Sequence, residues 1–169
     1  MAFYALSFDK QLGGTTQPAY AVTGAGWPSA GSSFRLVELY YGGRDSSSTP
    51  TGVAVNRPSA PGTLNPATVT TPAPMDNNSG NAGFLAYGQP TIAVSYSAAP
   101  TYGAVDLLNF GFNSYGGVVR WAALPGAEIV CVATSSSTGT NSGANLILGA
   151  AKAGATNPTL SGHFIIEQR

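Results

Sequence analysis

The sequence has few charged residues. They make up 8% of its 169 residues, against roughly 25% in an average soluble domain. Lysine and arginine together number seven, as do aspartate and glutamate, so the net charge is zero. Weak electrostatic repulsion between copies favours association. This scarcity predicts a protein that works within an assembly, and a neutral, Ser- and Thr-rich secreted β domain is the alternative.

Other absences narrow the function further. The chain has no long basic run, which excludes the electrostatic footprint of a nucleic-acid-binding protein. No apolar stretch approaches the ~18 residues needed to span a bilayer, so we expect no membrane segment. The first ten residues show no basic lead-in, no apolar run and no cleavage pattern, and we therefore expect no signal peptide.

Residues with catalytic or metal-binding chemistry are also scarce. Cys131 is the only cysteine, and its place in an alternating apolar run predicts a buried side chain without a disulfide. His163 is the only histidine, and beside Phe164 it is typical of a strand residue rather than a catalytic base. These counts exclude sites built from Cys and His clusters, and no Gly-x-Ser-x-Gly turn occurs. We expect no catalytic residue, no metal and no cofactor.

One polar run resembles half of a calcium loop. Residues 76–81 place oxygen donors at alternate positions around a glycine. The run lacks the later bidentate glutamate and the flanking helices of such a loop. Turns formed by Asn and Asp side chains explain the same residues without a metal.

Alternating apolar residues predict an all-β protein. Residues 3–8, 33–41 and 163–167 alternate with the period of a strand, and turn residues recur about every 8–12 positions. Residues 33–41 are apolar on both faces, which predicts a strand that is covered twice. The sequence therefore predicts a single domain, residues 1–169, with an antiparallel β-sandwich of the jelly-roll type.

Residues 107–132 carry the strongest local signal. Two apolar runs, 118–124 and 128–132, flank Pro125-Gly126, a dipeptide that fits the centre of a type II turn. The pattern predicts a β-hairpin at the centre of the sandwich. Its alternation predicts these core residues: Val119, Trp121, Ile129 and Cys131.

Residues 57–83 have a different composition. Five of the 12 prolines lie here, and each removes a backbone donor, so the segment is predicted to be a long irregular excursion. Such segments are often functional, and we expect an arm that contacts a neighbouring subunit; a surface loop is the alternative. Arg120, predicted to point away from the core, is added to the candidate interface residues, which are Arg57, Pro58, Pro61, Pro66, Pro72, Pro74, Met75 and Arg120.

Aromatic residues offer a second kind of surface. They could line a face that binds sugar or protein, or lie half in the core as strand residues. These residues are Trp27, Tyr40, Tyr41, Tyr87, Tyr96, Tyr102 and Tyr115.

Three stretches resemble the decoration or cement proteins of tailed-bacteriophage heads. They are residues 3–10, residues 24–28, and residues 116–121 together with 125–128. The resemblance implies a protein without catalytic residues that attaches at local symmetry axes of the head, often as a trimer. Its expected partners are the major capsid protein and further copies of itself, and its expected location is the virion, assembled in the host cytoplasm. A carbohydrate- or receptor-binding β-sandwich, in a phage tail or a secreted lectin-like module, is the alternative function.

Overall fold

The structure is a computed structural model that describes residues 2–11, 21–23, 33–60, 63–64, 69–70, 73–75, 91–93, 96–98, 100–132, 144–153 and 159–168. These residues form strands joined by turns. None of them lies in a helix of the length and apolarity that crossing a membrane requires. The described strands are β1 (Ala2–Gln11), β2 (Ala21–Thr23), β3 (Ser33–Arg44), β4 (Pro50–Ala60), β5 (Thr63–Leu64), β6 (Val69–Thr70), β7 (Ala73–Pro74), β8 (Thr91–Ala93), β9 (Tyr96–Ala98), β10 (Thr101–Asn113), β11 (Tyr115–Ala122), β12 (Ile129–Val132), β13 (Ala144–Ala153) and β14 (Thr159–Gln168).

Two antiparallel sheets pack against each other. The first has the order β11-β3-β14-β1-β7, with β12 also paired to β3, and the second has the order β10-β4-β13-β2-β8-β6. Strands β5 and β9 form a separate pair. One apolar core joins Leu6, Phe34 and Phe164 of the first sheet to Val55 and Leu146 of the second. The predicted antiparallel β-sandwich is confirmed.

The chain crosses repeatedly between the sheets. Strands β1 and β14 pair in the first sheet, and β2 and β13, their neighbours along the chain, pair in the second. In the same way β3 pairs with β11 in the first sheet, while β4 pairs with β10 in the second. Two antiparallel ribbons therefore bend from one sheet into the other.

A β-bulge in β3 explains why this strand is apolar in both phases of its alternation. Glu38 lies opposite Ile165 of β14. The next residue of β14, Ile166, lies opposite Leu36, so Val37 of β3 has no partner and is an extra residue. An extra residue reverses the faces on which later side chains lie. Leu36 and Leu39 are consequently both buried. The prediction that β3 is covered on both faces is replaced by a single buried face that changes phase at the bulge.

The predicted hairpin at residues 107–132 is wrong, although its turn is present. The amide of Ala127 donates to the carbonyl of Leu124 at 2.8 Å, and Gly126 has a φ of 85°, as the third residue of a type II turn requires. Strands β11 and β12, however, pair with successive parts of β3 and not with each other. The turn is an interruption in one long edge, since β3 is long enough to pair with both strands.

The Pro-rich segment is more regular than predicted. Within the described part of residues 57–83, the end of β4 and all of β5, β6 and β7 are strands. Pro58 lies opposite Tyr102 of β10, and Pro74 lies opposite Tyr4 in the terminal strand β7. Proline is tolerated where a strand is paired on one side only. Pro61, Pro66, Pro72 and the calcium-like run 76–81 lie outside the described residues.

The candidate core residues lie on the buried side of the first sheet. Cys131 is fully buried, whereas Val119, Trp121 and Ile129 are partly buried and pack against the core. The largest fully buried aromatic side chains are Tyr41, Phe34 and Phe164. Burial raises the pKa of the Cys131 thiol to about 12, so this side chain stays protonated at neutral pH.

Candidate functional site

Exposed large apolar side chains concentrate on one part of the molecule. Eight such residues occur among the described ones, and six of them fall between positions 105 and 130. The other two are Phe3 and Met75. The six are Val105, Leu107, Tyr115, Val118, Leu124 and Val130. Residues 101–130, which hold β10, β11 and the first two residues of β12, are called the β10–β12 edge.

This stretch forms one side of both sheets. Strand β10 is the last strand of the second sheet, and β11 and β12 flank β3 at the end of the first. Ser114 is the single residue between β10 and β11. The chain therefore runs along the edge of one sheet, turns at Ser114, and continues along the edge of the other.

Hydrogen bonds fix the corner at Ser114, which is fully buried. Its amide donates to the carbonyl of Thr49, and its own carbonyl accepts from the amide of Asp45, both at 2.9 Å. Its hydroxyl donates to the carbonyl of Ser47 at 3.1 Å. Because every polar group of Ser114 has a partner in the loop between β3 and β4, the relative direction of β10 and β11 is well defined.

Asn56 holds the outward-bulging part of β10. The register between β10 and β4 shifts between Tyr102 and Asp106, and the fully buried Asn56 takes over from the missing ladder bonds there. Its Nδ2 lies 3.1 Å from the carbonyls of Gly103 and Val105 and 2.9 Å from Oδ1 of Asp106. The amide of Gly103 donates to its Oδ1 at 2.7 Å. This clamp leaves the side chain of Val105 73% exposed.

The β10–β12 edge is nearly without charge. Sixteen of its thirty residues are exposed, and Arg120 is the only charged residue among them. The Arg120 side chain is 62% exposed, and it donates from Nε to Oε1 of Glu38 at 3.1 Å and from Nη2 to Oε2 at 2.7 Å. This two-pronged geometry is the favourable one for an arginine–carboxylate pair. The charge of Arg120 is thus neutralised within its own chain.

Glu38 has a second partner in His163. Its Oε1 lies 2.9 Å from Nε2 of His163, and the histidine ring stacks on Tyr40 with the ring centres 5.3 Å apart. Hydrogen bonds from Arg120, and then from His163, lower the pKa of Glu38 below its ordinary value. An ionised carboxylate can only accept, so Nε2 of His163 is the protonated nitrogen. The sole histidine lies in strand β14, as the sequence predicts.

Replacing Glu38 by glutamine is expected to reduce the acid sensitivity of the protein. Because the pKa of Glu38 in the folded state lies below its ordinary value of 4.5, its ionised form stabilises the fold above that pH. This stabilisation is lost as the pH falls through the folded pKa. Urea unfolding at about pH 7 and about pH 3 should show that the wild-type protein loses more stability on acidification than Glu38→Gln. Equal losses in the two proteins would contradict the role assigned to this carboxylate.

Arg57 joins the two sheets beside the same edge. It extends from β4 of the second sheet, and its Nη2 donates to the carbonyl of Val130 in β12 of the first sheet at 2.8 Å. Of the predicted interface residues, Arg57 and Arg120 therefore both attach to the β10–β12 edge. Pro58 is half-buried in β4. Pro74 and Met75 lie by β7, at the opposite end of the first sheet.

The described aromatic residues differ in their exposure. Tyr40 and Tyr102 are half-buried, Tyr41 is buried, and Tyr115 is exposed. Trp27, Tyr87 and the side chain of Tyr96 lie outside the described residues. No group of three or more His, Cys, Asp and Glu side chains occurs in the described part of the chain in a position to bind a metal.

Sequence reasoning missed the exposed edge, although a signal was available. Alternation placed residues 107–132 at the centre of the sandwich, whereas the structure places them at its side. Between positions 107 and 127 the only charged residue is Arg120. An apolar stretch of this kind on a terminal strand is unusual, since proteins commonly protect such strands with charge.

Comparisons of the chain with protein-family models, with curated proteins and with solved structures found no match.

Proposed function

We propose that this protein is a structural subunit that decorates or cements the head of a tailed bacteriophage. The observation that carries the proposal is the β10–β12 edge, where six large apolar side chains are exposed along the margins of two sheets. Exposed apolar surface concentrated in one region marks an interaction site in soluble proteins. Decoration of a capsid needs such contacts and no catalytic chemistry.

The proposal includes the jelly-roll type of sandwich. Its support is the strand order, in which β1, β14, β3 and β11 share one sheet and β2, β13, β4 and β10 share the other. Two bent antiparallel ribbons, β1–β2 with β13–β14 and β3–β4 with β10–β11, generate this arrangement. Jelly rolls of eight strands occur in viral capsid proteins and in lectins.

The proposed partners are the major capsid protein and further copies of this chain, arranged as homotrimers at local symmetry axes of the head. The proposed location is the virion. Low charge supports this role, because packed subunits that carry few charges bury fewer groups that lose favourable hydration.

The test is co-sedimentation of the purified protein with capsids that lack it, together with its copy number in purified virions. We expect saturable binding and a copy number that is a simple multiple of the symmetry-related sites on the head. Absence from virions, or a copy number of only a few per particle, would contradict decoration. Deleting residues 60–80 is a poor test of a contact arm, because the deletion removes β5, β6 and β7, and β7 pairs with β1.

One observation favours the alternative of glycan binding. A shallow cavity of about 400 Å³ lies over β4 and β10, lined by Pro50, Thr51, Gly52, Gly111, Phe112 and Asn113. The side-chain amide of Asn113 already has two partners. Its Nδ2 donates to the hydroxyl of Ser48 at 2.7 Å, and its Oδ1 accepts from the backbone amide of Tyr115 at 2.8 Å. A glycan array would favour this alternative if binding occurs and is lost when Gly111 is replaced by tryptophan, which would fill the cavity.

A further inference from the structure

We infer that the β10–β12 edge binds the same edge of a second copy of this chain, so that copies associate side by side. The inference deepens the proposed function by naming the surface and the partner, and it rests on that function only for its biological setting.

The size of the β10–β12 edge suits a protein–protein interface. A stable protein–protein interface buries about 800 Å² and roughly 20–30 residues on each partner. The edge spans thirty residues, of which sixteen are exposed and thirteen are half-buried. The corner at Ser114 brings the margins of both sheets to one side of the sandwich. The exposed and half-buried residues together are as many as one partner contributes to an ordinary interface.

The exposed charge of the edge is already paired within the chain. Among the exposed residues of the edge only Arg120 is charged, and it pairs with Glu38. The half-buried Glu128 pairs with Arg35, and the half-buried Asp106 accepts from Asn56. The edge itself therefore exposes no unpaired charge to a charged partner. The electrostatic match is a surface that is itself apolar and neutral. This chain, with a net charge of zero, provides such a surface.

Strand β10 lacks the usual protection of a terminal strand. Terminal strands of soluble proteins are usually short or carry outward charges, because their free backbone groups otherwise pair with other chains. Strand β10 has thirteen residues, and its only charged residue, Asp106, is held by Asn56. Val105 and Leu107 are exposed on the same strand. A terminal strand without this protection is expected when another chain covers the strand in the assembled protein.

The experiment uses two charge substitutions on the edge and one matched control. Val105→Asp and Leu124→Asp change side chains that are 73% and 75% exposed, and Met75→Asp changes one that is 57% exposed at the opposite end of the first sheet. Because all three side chains are exposed, the fold should tolerate each change, which circular dichroism and thermal unfolding can verify. The measurement is the mass of the full-length protein by sedimentation equilibrium over a range of concentrations.

We expect the wild-type protein to self-associate, and each edge substitution to raise the dissociation constant by about 30-fold or more, because it brings a carboxylate into an apolar contact. Met75→Asp should behave like the wild type. A wild-type protein that stays monomeric up to about 100 µM, well above the micromolar range of ordinary interfaces, would overturn the inference. The inference would also be overturned if the edge variants associate like the wild type, or if only Met75→Asp disrupts association.

Capsid co-sedimentation separates this inference from the proposed function. If the wild-type protein is monomeric and the edge variants lose capsid binding, the capsid protein occupies the edge. That outcome overturns the second-copy inference and supports decoration. If the protein associates through the edge but never binds capsids, the inference stands and the proposed function fails.

Discussion

Replacing Asn56 by leucine is expected to lower the free energy of unfolding by about 4 kcal/mol, because it leaves several buried polar groups without a partner. The amide of Gly103 loses its acceptor, and the carbonyls of Gly103 and Val105 lose a shared donor. Each buried group left unsatisfied costs about 1–3 kcal/mol. Leucine has the same branching and the same number of side-chain heavy atoms as asparagine, so the substitution leaves no cavity.

Two further variants make this result specific. Asn109→Leu changes an exposed asparagine of the neighbouring strand β10, and we expect an effect within about 0.5 kcal/mol of zero. Asn56→Asp keeps an acceptor for the amide of Gly103 but places a second carboxylate beside Asp106, so it should also be strongly destabilising at neutral pH. Urea unfolding monitored by tryptophan fluorescence gives all three values. A loss below about 1 kcal/mol for Asn56→Leu would show that the clamp contributes little.

Replacing Gly43 by alanine is expected to lower the free energy of unfolding by about 3 kcal/mol, at the upper end of the cost of an overpacked site. A Cβ atom at this position would lie 2.4 Å from the carbonyl oxygen of Ser114 and 2.5 Å from that of Asn113. Both are backbone atoms of the corner between β10 and β11, and neither can rotate away. Relief of the clash requires movement of the corner, which would strain the bonds that Ser114 makes with Asp45 and Thr49.

Gly111 provides the matched control for this substitution. It lies in β10, close to the same corner, but a Cβ atom there would meet no other atom within 4 Å. Gly111→Ala should therefore be neutral, or stabilise by up to about 1 kcal/mol by restricting the unfolded chain. Thermal and urea unfolding of the two alanine variants measure the difference. Equal stability of Gly43→Ala and Gly111→Ala would mean that the corner adapts easily and is not a fixed element of the edge.

The Pro125-Gly126 turn shows both the reach and the limit of local sequence reasoning. Its dihedral angles and its hydrogen bond from Ala127 to Leu124 depend on four consecutive residues, and they are as predicted. The same turn can join two strands that pair with each other or two segments that pair with a third strand. That choice depends on β3, which ends at Arg44, far from the turn along the chain, and it could not be read from the turn.

For the interface candidates, too, the composition of the chain predicted the kind of surface but not its position. The low charge of the chain predicted an associating surface, and proline content directed attention to residues 57–83. Pro58 and Pro74 are instead strand residues at singly paired positions. The exposed apolar residues lie in the segment that alternation assigned to the core. Alternation tells which side chains share a face, but it does not tell whether a strand lies at the centre or at the margin of its sheet.

The order of residues along the chain was sufficient to define the all-β class, the antiparallel sandwich and the neutral, charge-poor surface, because these depend on composition and on a period of two residues. The phase change in β3, the collinear path of β11 and β12, and the exposure of Val105 and Leu124 were decided only in the tertiary structure. Each depends on which strands pair and in what register. Pairing is set by contacts between distant residues, and no local pattern in the sequence contains that information.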